Sequence, residues 1–355
     1  MGRKTSTLRL REIASMAEVS VATVSRVLNG NRTVDASIRK HVLEAASKLN
    51  IDLSQSSRAN ALAFVLSNRA MLHAFHSRVL AGAEAQCTAR GWDMIFLSFH
   101  YSPQVHWKEL YLPRVLRRHD LVGAVILAGT NSPNLLELLT HANINFVVLG
   151  NNVVGNAQEL KNDVVFSDDI LGGQEMTRYL IGLGHRHICF VGNLRLPWFA
   201  RCFEGYRRAI DEFGLRARHS TIDSEDEVEV GYLGTKSLLA QTEPLTAVFA
   251  GNDFTAQGVY KALRDSGLRV PEDVSVVGCD DTLGSCLHPP LTTIREFPEQ
   301  LGKQMVELAL HRIAAPTREP AHITVATEFI RRDSCKPIGS LGTASSDVLQ
   351  RTTAE

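Results

Sequence analysis

No stretch of the 355 residues stays apolar over the ~20 positions that a membrane span needs. The amino end is polar and basic and has no apolar centre of the secretion-signal kind, so a cytoplasmic protein is expected. The six cysteines (Cys87, Cys189, Cys202, Cys279, Cys286, Cys335) show no CxxC and no Cys/His ligand spacing, which argues against a zinc site and suits a reducing compartment. G-x-G-x-x-G, the P-loop, G-x-S-x-G and H-E-x-x-H are also missing, which removes the nucleotide, phosphate and hydrolase signatures. Net charge is absent too, with 38 Lys and Arg against 38 Asp and Glu.

That neutrality hides an asymmetry. Residues 1–62 hold ten basic side chains against five acids, net +5, so the rest of the chain is net −5. A basic end on a mildly acidic body favours phosphate binding, although a charge run is also simply a solvated face.

The basic end carries the most informative stretch, LREIASMAEVSVATVSRVLNG over residues 10–30. Leu10, Ile13, Ala14 and Ala17 make one helical stripe, Ser20 is a candidate N-cap, and Val24, Val27 and Leu28 turn a second helix inward. Ala22, Thr23, Ser25 and Arg26 then face outward. In a helix-turn-helix the first turn of the second helix enters the major groove. Val21 and Ala22 are placed for base edges or thymine methyls, and Arg26 for a bidentate contact to guanine. Ser20, Thr23, Ser25 and Asn29 suit the DNA backbone. Asp35 is a candidate cap for a third helix, with Ile38, Val42, Ala45, Ala46 and Leu49 buried. Any small helical bundle shows such stripes, so the charge asymmetry is the added argument for DNA.

Beyond residue 62 short apolar runs alternate with amphipathic helices, as in parallel sheets built from βαβ units. Runs at 62–67, 92–99, 121–129 and 145–150 make one set, with helices expected at 79–90, 110–118 and 135–141 between them. Runs at 187–192, 245–251 and 274–279 make another. A strand at 290–296, a helix at 297–313 and a final strand near 322–329 are expected to return across both sets. The fold class is α/β: a three-helix headpiece plus a core of two doubly wound parallel sheets.

In such sheets the ligand crevice lies beyond the carboxyl ends of the strands. Asn68, Asn151, Asn152, Asp168, Asp169, Asn252, Asp253, Asp280 and Asp281 all follow strands or lie between lobes, and Trp198-Phe199 fall in the loop after HICFVG. Carboxylates and carboxamides beside an aromatic face describe a sugar or polyol pocket. Asp253 and Asp281 are equally candidates for helix caps, which leaves Asn252 and Asp280 as the stronger ligands. Asp168 and Asp169 are adjacent and lack a partner carboxylate at hydrolase distance, so no catalytic residue, cofactor or metal is assigned.

These motifs together resemble the lactose/galactose repressor (LacI-type) family over nearly all of residues 8–334. They are REIASMAEVSVATVSRVLNG, LIGLGHRHICFVG, FAGNDFTAQGVYKALRDSGLRVPEDVSVVGCDD and PPLTTIRE. The resemblance implies a dimeric transcriptional regulator with a DNA-binding headpiece (1–52), a hinge (53–61), a periplasmic-binding-protein-like core (62–334) and a tail (335–355). It puts base readers on Val21, Ala22 and Arg26, and effector contacts on Asn252, Asp280 and Asp168, with Asn68, Trp198 and Arg201 completing the candidate set. The expected partners are double-stranded operator DNA, a small sugar-like effector and a second copy of the chain, with no membrane. A sugar-binding protein without a DNA role, or a carbohydrate-acting enzyme, are the alternatives.

The chain departs from the family in three places. Cys202 in RCFEGY stands where the family carries its effector-gripping arginine, and Arg201 is one place earlier. The hinge, NIDLSQSSRANALAF, lacks the usual proline, which leaves Leu62 and Leu53 as rival wedges for the minor groove. The tail after Asp333 lacks a leucine heptad, which points to a dimer instead of a tetramer.

Overall fold

The computed structural model describes residues 10–28, 34–49, 60–69 and 73–338. In the headpiece, helical residues 10–16 (α1) precede Val21–Leu28 (α2) and Ala36–Lys48 (α3). The expected stripes meet: Ile13, Ala14, Val24, Val27, Val42, Ala45 and Ala46 form one core, none more than 5% exposed. Glu18 turns the corner in a left-handed conformation (φ 52°). Ser20 Oγ accepts from Thr23 N at 3.0 Å and opens α2, and Asp35 opens α3 by accepting from Ser37 N at 2.8 Å.

The core contains two six-stranded sheets. The first runs β11-β5-β4-β3-β1-β2 and is wholly parallel, from Ala61–Ser67 (β1), Asp93–Phe99 (β2), Val122–Leu127 (β3), Phe146–Leu149 (β4), Asp163–Ser167 (β5) and His322–Val325 (β11). The second runs β12-β10-β9-β8-β6-β7, from Ile188–Val191 (β6), Arg218–Ser220 (β7), Ala247–Ala250 (β8), Ser275–Asp280 (β9), Thr292–Arg295 (β10) and Glu328–Ile330 (β12), and only β12 is antiparallel.

Helices cover both faces of each sheet, which is why the strands read as unbroken apolar runs. In β1, Ala63 and Val65 join the core on one face while Leu62 and Phe64 join the other, and all seven residues are buried. This corrects Leu62 as a minor-groove wedge: its side chain is fully buried among Phe64, Val79 and Met305 in the first lobe. Its rival Leu53, the hinge around it and Asn29 lie outside the described residues.

The chain crosses between lobes three times, after Ser167, after Arg295 and after Val325. Helix Pro298–Ala314 (α10) thereby packs on the first sheet although β10 belongs to the second. The single expected strand near 322–329 is two, one in each sheet. The helix expected at 110–118 is instead a pair of 3-10 turns, Trp107–Glu109 and Arg114–Arg117, because Pro113 between them disfavours helix at Leu112. Residues 335–338, assigned to the tail by sequence, still pair with the second lobe through Lys336 N to Ser275 Oγ and Ile338 N to Leu183 O.

Helices Glu227–Leu239 (α8) and Asp253–Asp265 (α9) touch backbone to backbone. A methyl group on Gly258 would lie well inside contact distance of Val228 O, and one on Gly231 would meet Thr255 O. Gly258→Ala is therefore expected to cost about 1–3 kcal/mol. The check is a lower urea midpoint at an unchanged denaturant slope.

Candidate functional site

Two surfaces hold the candidate residues. On the headpiece, Val21, Ala22 and Arg26 project from the exposed face of α2, opposite the buried Val24 and Val27. Thr23 and Ser25 are half-buried beside them. Ser20 and Thr23 are joined through their hydroxyls at 2.8 Å, so this pair braces the helix start at which the readers stand. The side chains facing outward are short except for Arg26, which leaves the backbone of the first turn accessible to a groove.

The second surface is the cleft between the lobes, a cavity of about 50 Å³ walled by residues of both. The first lobe contributes Arg69, His73, Phe75 and His76 from the end of β1 and the start of Ala74–Ala89 (α4), and Asn151 and Asn152 from the end of β4. The second contributes Asp169 from Asp169–Gly182 (α6), Trp198 and Cys202 from Pro197–Glu212 (α7), and Glu227 from α8. Strand ends supply Gly251, Asn252, Cys279, Asp280 and Glu296.

Contacts across the cleft hold the lobes together. The Arg69 guanidinium stacks 4.5 Å above the Trp198 ring, and His73 Nε2 lies 3.2 Å from a Glu227 carboxylate oxygen. Burial pushes the Glu227 carboxyl up, but His73, Asn252 and Arg69 more than reverse this and hold it below the ordinary glutamate value.

The other carboxyls go the opposite way. Burial, and then the neighbouring Asp253, push Asp280 well above the usual aspartate range. Burial and the nearby Asp169 push Glu296 up to about 7. Asp169 is also raised, chiefly by burial, although Arg201 opposes the shift.

Of the effector residues expected from sequence, Trp198, Asn252 and Asp280 line this cleft. Trp198 stands in the first turn of α7, not in a loop, because Pro197 starts the helix. Asn252 is itself the N-cap of α9, accepting from Thr255 N at 2.9 Å, and Asp253 is no cap: it accepts from Thr293 Oγ1 at 2.7 Å and Leu283 N at 3.0 Å. Asp281 is no cap either, being held by Arg295 at 2.8 Å and Arg332 at 2.7 Å.

Asn68 lies at the wider mouth beside Arg69 and Glu225, and its Oδ1 accepts from Tyr101 N at 2.8 Å. Asp168 caps α6 and is not on the cleft wall, where its neighbour Asp169 stands in its place. Arg201 does not line the cleft: it clamps Asp169 through Nε at 2.9 Å and Nη2 at 2.6 Å. Cys202 does line it.

Sequence reasoning passed over Arg69, His73, His76, Glu227 and Glu296. Inspecting the residues that follow β1 and β10 a few places further on would have found Arg69 and Glu296. Glu227 follows β7, a three-residue strand with no apolar pattern to announce it. Among the described residues no group of His, Cys, Asp and Glu is arranged to hold a metal ion, and no helix is long and apolar enough to cross a membrane.

A three-helix headpiece on a two-lobed core with a polar cleft at the crossovers defines a ligand-binding protein carrying a helix-turn-helix. Residues 9–51 match the bacterial regulatory proteins of the lacI family, and residues 177–335 match the periplasmic binding protein-like domain. The ribose operon repressor of Haemophilus influenzae is 31% identical over 92% of this chain and 98% of its own length. The transcriptional repressor PurR of Pasteurella multocida is 30% identical over 92% and 98%. The solved complex of the transcriptional regulator CelR with cellobiose superposes with a TM-score of 0.68 at 28% identity, covering 92% of this chain and 99% of that one. The chain belongs to the lacI family of bacterial regulatory proteins. It is a DNA-binding transcriptional regulator, not an enzyme.

Proposed function

We propose that this regulator is a cytoplasmic homodimeric repressor of carbohydrate-utilisation genes. Residues 1–52 bind a pseudo-palindromic operator, residues 53–61 link them to the core, and a small hydroxylated effector closes the cleft within residues 62–334. The ribose-named and cellobiose-bound relatives support a sugar effector.

The observation that carries the reading is the cleft itself. Its walls come from both lobes, so a ligand held there has different contacts in the closed and open core. A ligand with differential affinity for two states must shift whatever else distinguishes them, here the spacing of two headpieces. A shift of about 5- to 150-fold in operator affinity is the usual scale.

Arg26, with Val21 and Ala22, is proposed to read bases, while Ser20, Thr23 and Ser25 position the helix on the backbone. Arg26→Ala should cost about 1–3 kcal/mol on the operator and relax preference at one base pair, with much smaller loss on random DNA. Fluorescence anisotropy against a mutated operator series checks this. Equal loss on operator and random DNA removes Arg26 from the readers. An operator affinity unmoved by every sugar tried, at fixed salt, contradicts the regulatory reading.

A further inference from the structure

The six cysteines are scattered along the chain, yet the fold brings two of them to one cavity. Cys202 on α7 and Cys279 on β9 belong to the same apolar cluster of the second lobe, and both line the cleft of about 50 Å³. They are 1% and 5% exposed. A hydrogen bond to Cys202, and then burial, pushes the Cys279 thiol well above its ordinary value, so Cys279 keeps its proton directed at the Cys202 sulfur. Cys87 and Cys189 are buried as deeply but do not line this cleft: one packs in the first lobe, the other on the opposite face of the second sheet.

Two thiols side by side on a cavity wall can hold a metal ion or join as a disulfide. Among the described residues no third ligand stands with them to complete a metal group. The oxidant that a disulfide needs has room to enter. One water takes about 10–15 Å³ of such volume, so the cleft as it stands admits hydrogen peroxide, with its two oxygen atoms.

We propose that Cys202 and Cys279 are a modification site, oxidised by hydroperoxide to a disulfide that weakens effector binding. In the first step the Cys202 sulfur attacks a peroxide oxygen, the O–O bond breaks, and the thiol proton joins the departing hydroxide as water. The Cys279 sulfur then attacks the resulting sulfenic acid. The S–S bond forms, the S–O bond breaks, and the Cys279 proton leaves with the hydroxide as a second water. Two thiols are oxidised and one peroxide is reduced.

The bond would reshape the wall. Sulfurs in contact must close to about 2.05 Å, which draws α7 and β9 together. Trp198 stands four residues before Cys202 on α7, and Asp280 follows Cys279 directly, so both shift with it. This effect on binding rests on the effector reading above; the disulfide itself does not.

The test uses the full chain carrying Cys286→Ser, which removes the exposed cysteine. After hydrogen peroxide treatment the chain is mapped as non-reduced peptides. Its mass should fall by about 2 Da as a peptide pair joining Cys202 to Cys279 appears, at least about tenfold faster than Cys87 or Cys189 loses its thiol. Dithiothreitol should reverse the change. With Cys279→Ser added, oxidation should stop at a sulfenic acid on Cys202, captured by dimedone. Thiols at Cys202 and Cys279 that outlast peroxide as long as those of Cys87 and Cys189 overturn the site, and so does a disulfide from either to a different cysteine.

Calorimetric titration with D-ribose and cellobiose reads the second claim. The oxidised chain should bind at least about tenfold more weakly than the reduced chain, with dithiothreitol restoring affinity. Equal affinity in the two forms overturns the effect on the effector. If the reduced chain binds neither sugar, the effector reading fails and this claim with it, while the peptide map still decides the disulfide.

Discussion

Arg201→Ala is expected to lower the stability of the core by about 3–5 kcal/mol, the loss typical of a buried ion pair stripped of one partner. Asp169 is 3% exposed and its carboxylate takes both Nε and Nη2 of Arg201. The N-terminus of α6 favours its charge, since Asp169 is the first residue of that helix. These supports still leave the group above its ordinary pKa, because burial outweighs them. Removing Arg201 would leave the carboxylate buried and facing Glu296, whose own proton is held to about 7.

The double change Asp169→Asn with Arg201→Met should recover most of the loss, since neither replacement carries a charge to desolvate. Urea titration followed by circular dichroism reads both. The pair also separates two roles for Arg201. If it positions Asp169 and the α6 terminus, the double variant keeps sugar binding within a few-fold of a variant changed at Asp169 alone. A further large loss restores Arg201 as an effector contact.

The ambiguity between Arg201 and Cys202 shows where reading the sequence stops. The family resemblance put this segment at the effector crevice, and Cys202 does line the cleft. Which of two adjacent residues on a helix points inward is decided by a partner on another element, here Asp169, thirty-two positions away. Asp168 and Asp169 repeat the lesson: one is the cap and the other the first helical residue, and that single step moves a carboxylate from the helix end to the cavity wall.

Elements with a strong period were legible. The headpiece stripes, β1, β3, β8 and β9 all stand where apolar runs placed them. β7 is three residues, and β5 carries at its start a buried Asp163 held by Arg312 and Arg318, so neither has the pattern of a core strand. Pairing across 149 residues is invisible to any local window.

Asp280→Asn should weaken effector binding about 100-fold, or about 2.7 kcal/mol, and at the same time make the ligand-free protein more stable. Asp280 ends β9 in a left-handed conformation (φ 92°), 7% exposed. Its carboxylate accepts from Thr282 N at 2.8 Å and forms no ion pair among the described residues. Asp253 and Glu296 raise its cost further. A group so placed destabilises the empty fold, and ligand hydroxyls that donate to it offset this by stabilising its ionised form, at about 1.5–3 kcal/mol per hydrogen bond to a charged group.

The pH dependence follows from the direction of the shift. Asp280 titrates near 3.8 when unfolded and well above that when folded. Below the unfolded value both states hold the proton and the carboxyl costs nothing. As pH rises through the window between the two values, the unfolded chain releases its proton while the folded chain keeps it, and stability falls. The gain from asparagine should therefore be small near pH 4 and grow toward pH 8. Thermal unfolding of wild type and Asp280→Asn across that range, with and without the bound sugar, reads both effects at once. A pH-independent gain removes the carboxyl from the titration argument, and undiminished sugar binding removes it from the site. Operator affinity without sugar should be the same in the two proteins, because Asp280 stands on the cleft wall and not on the headpiece.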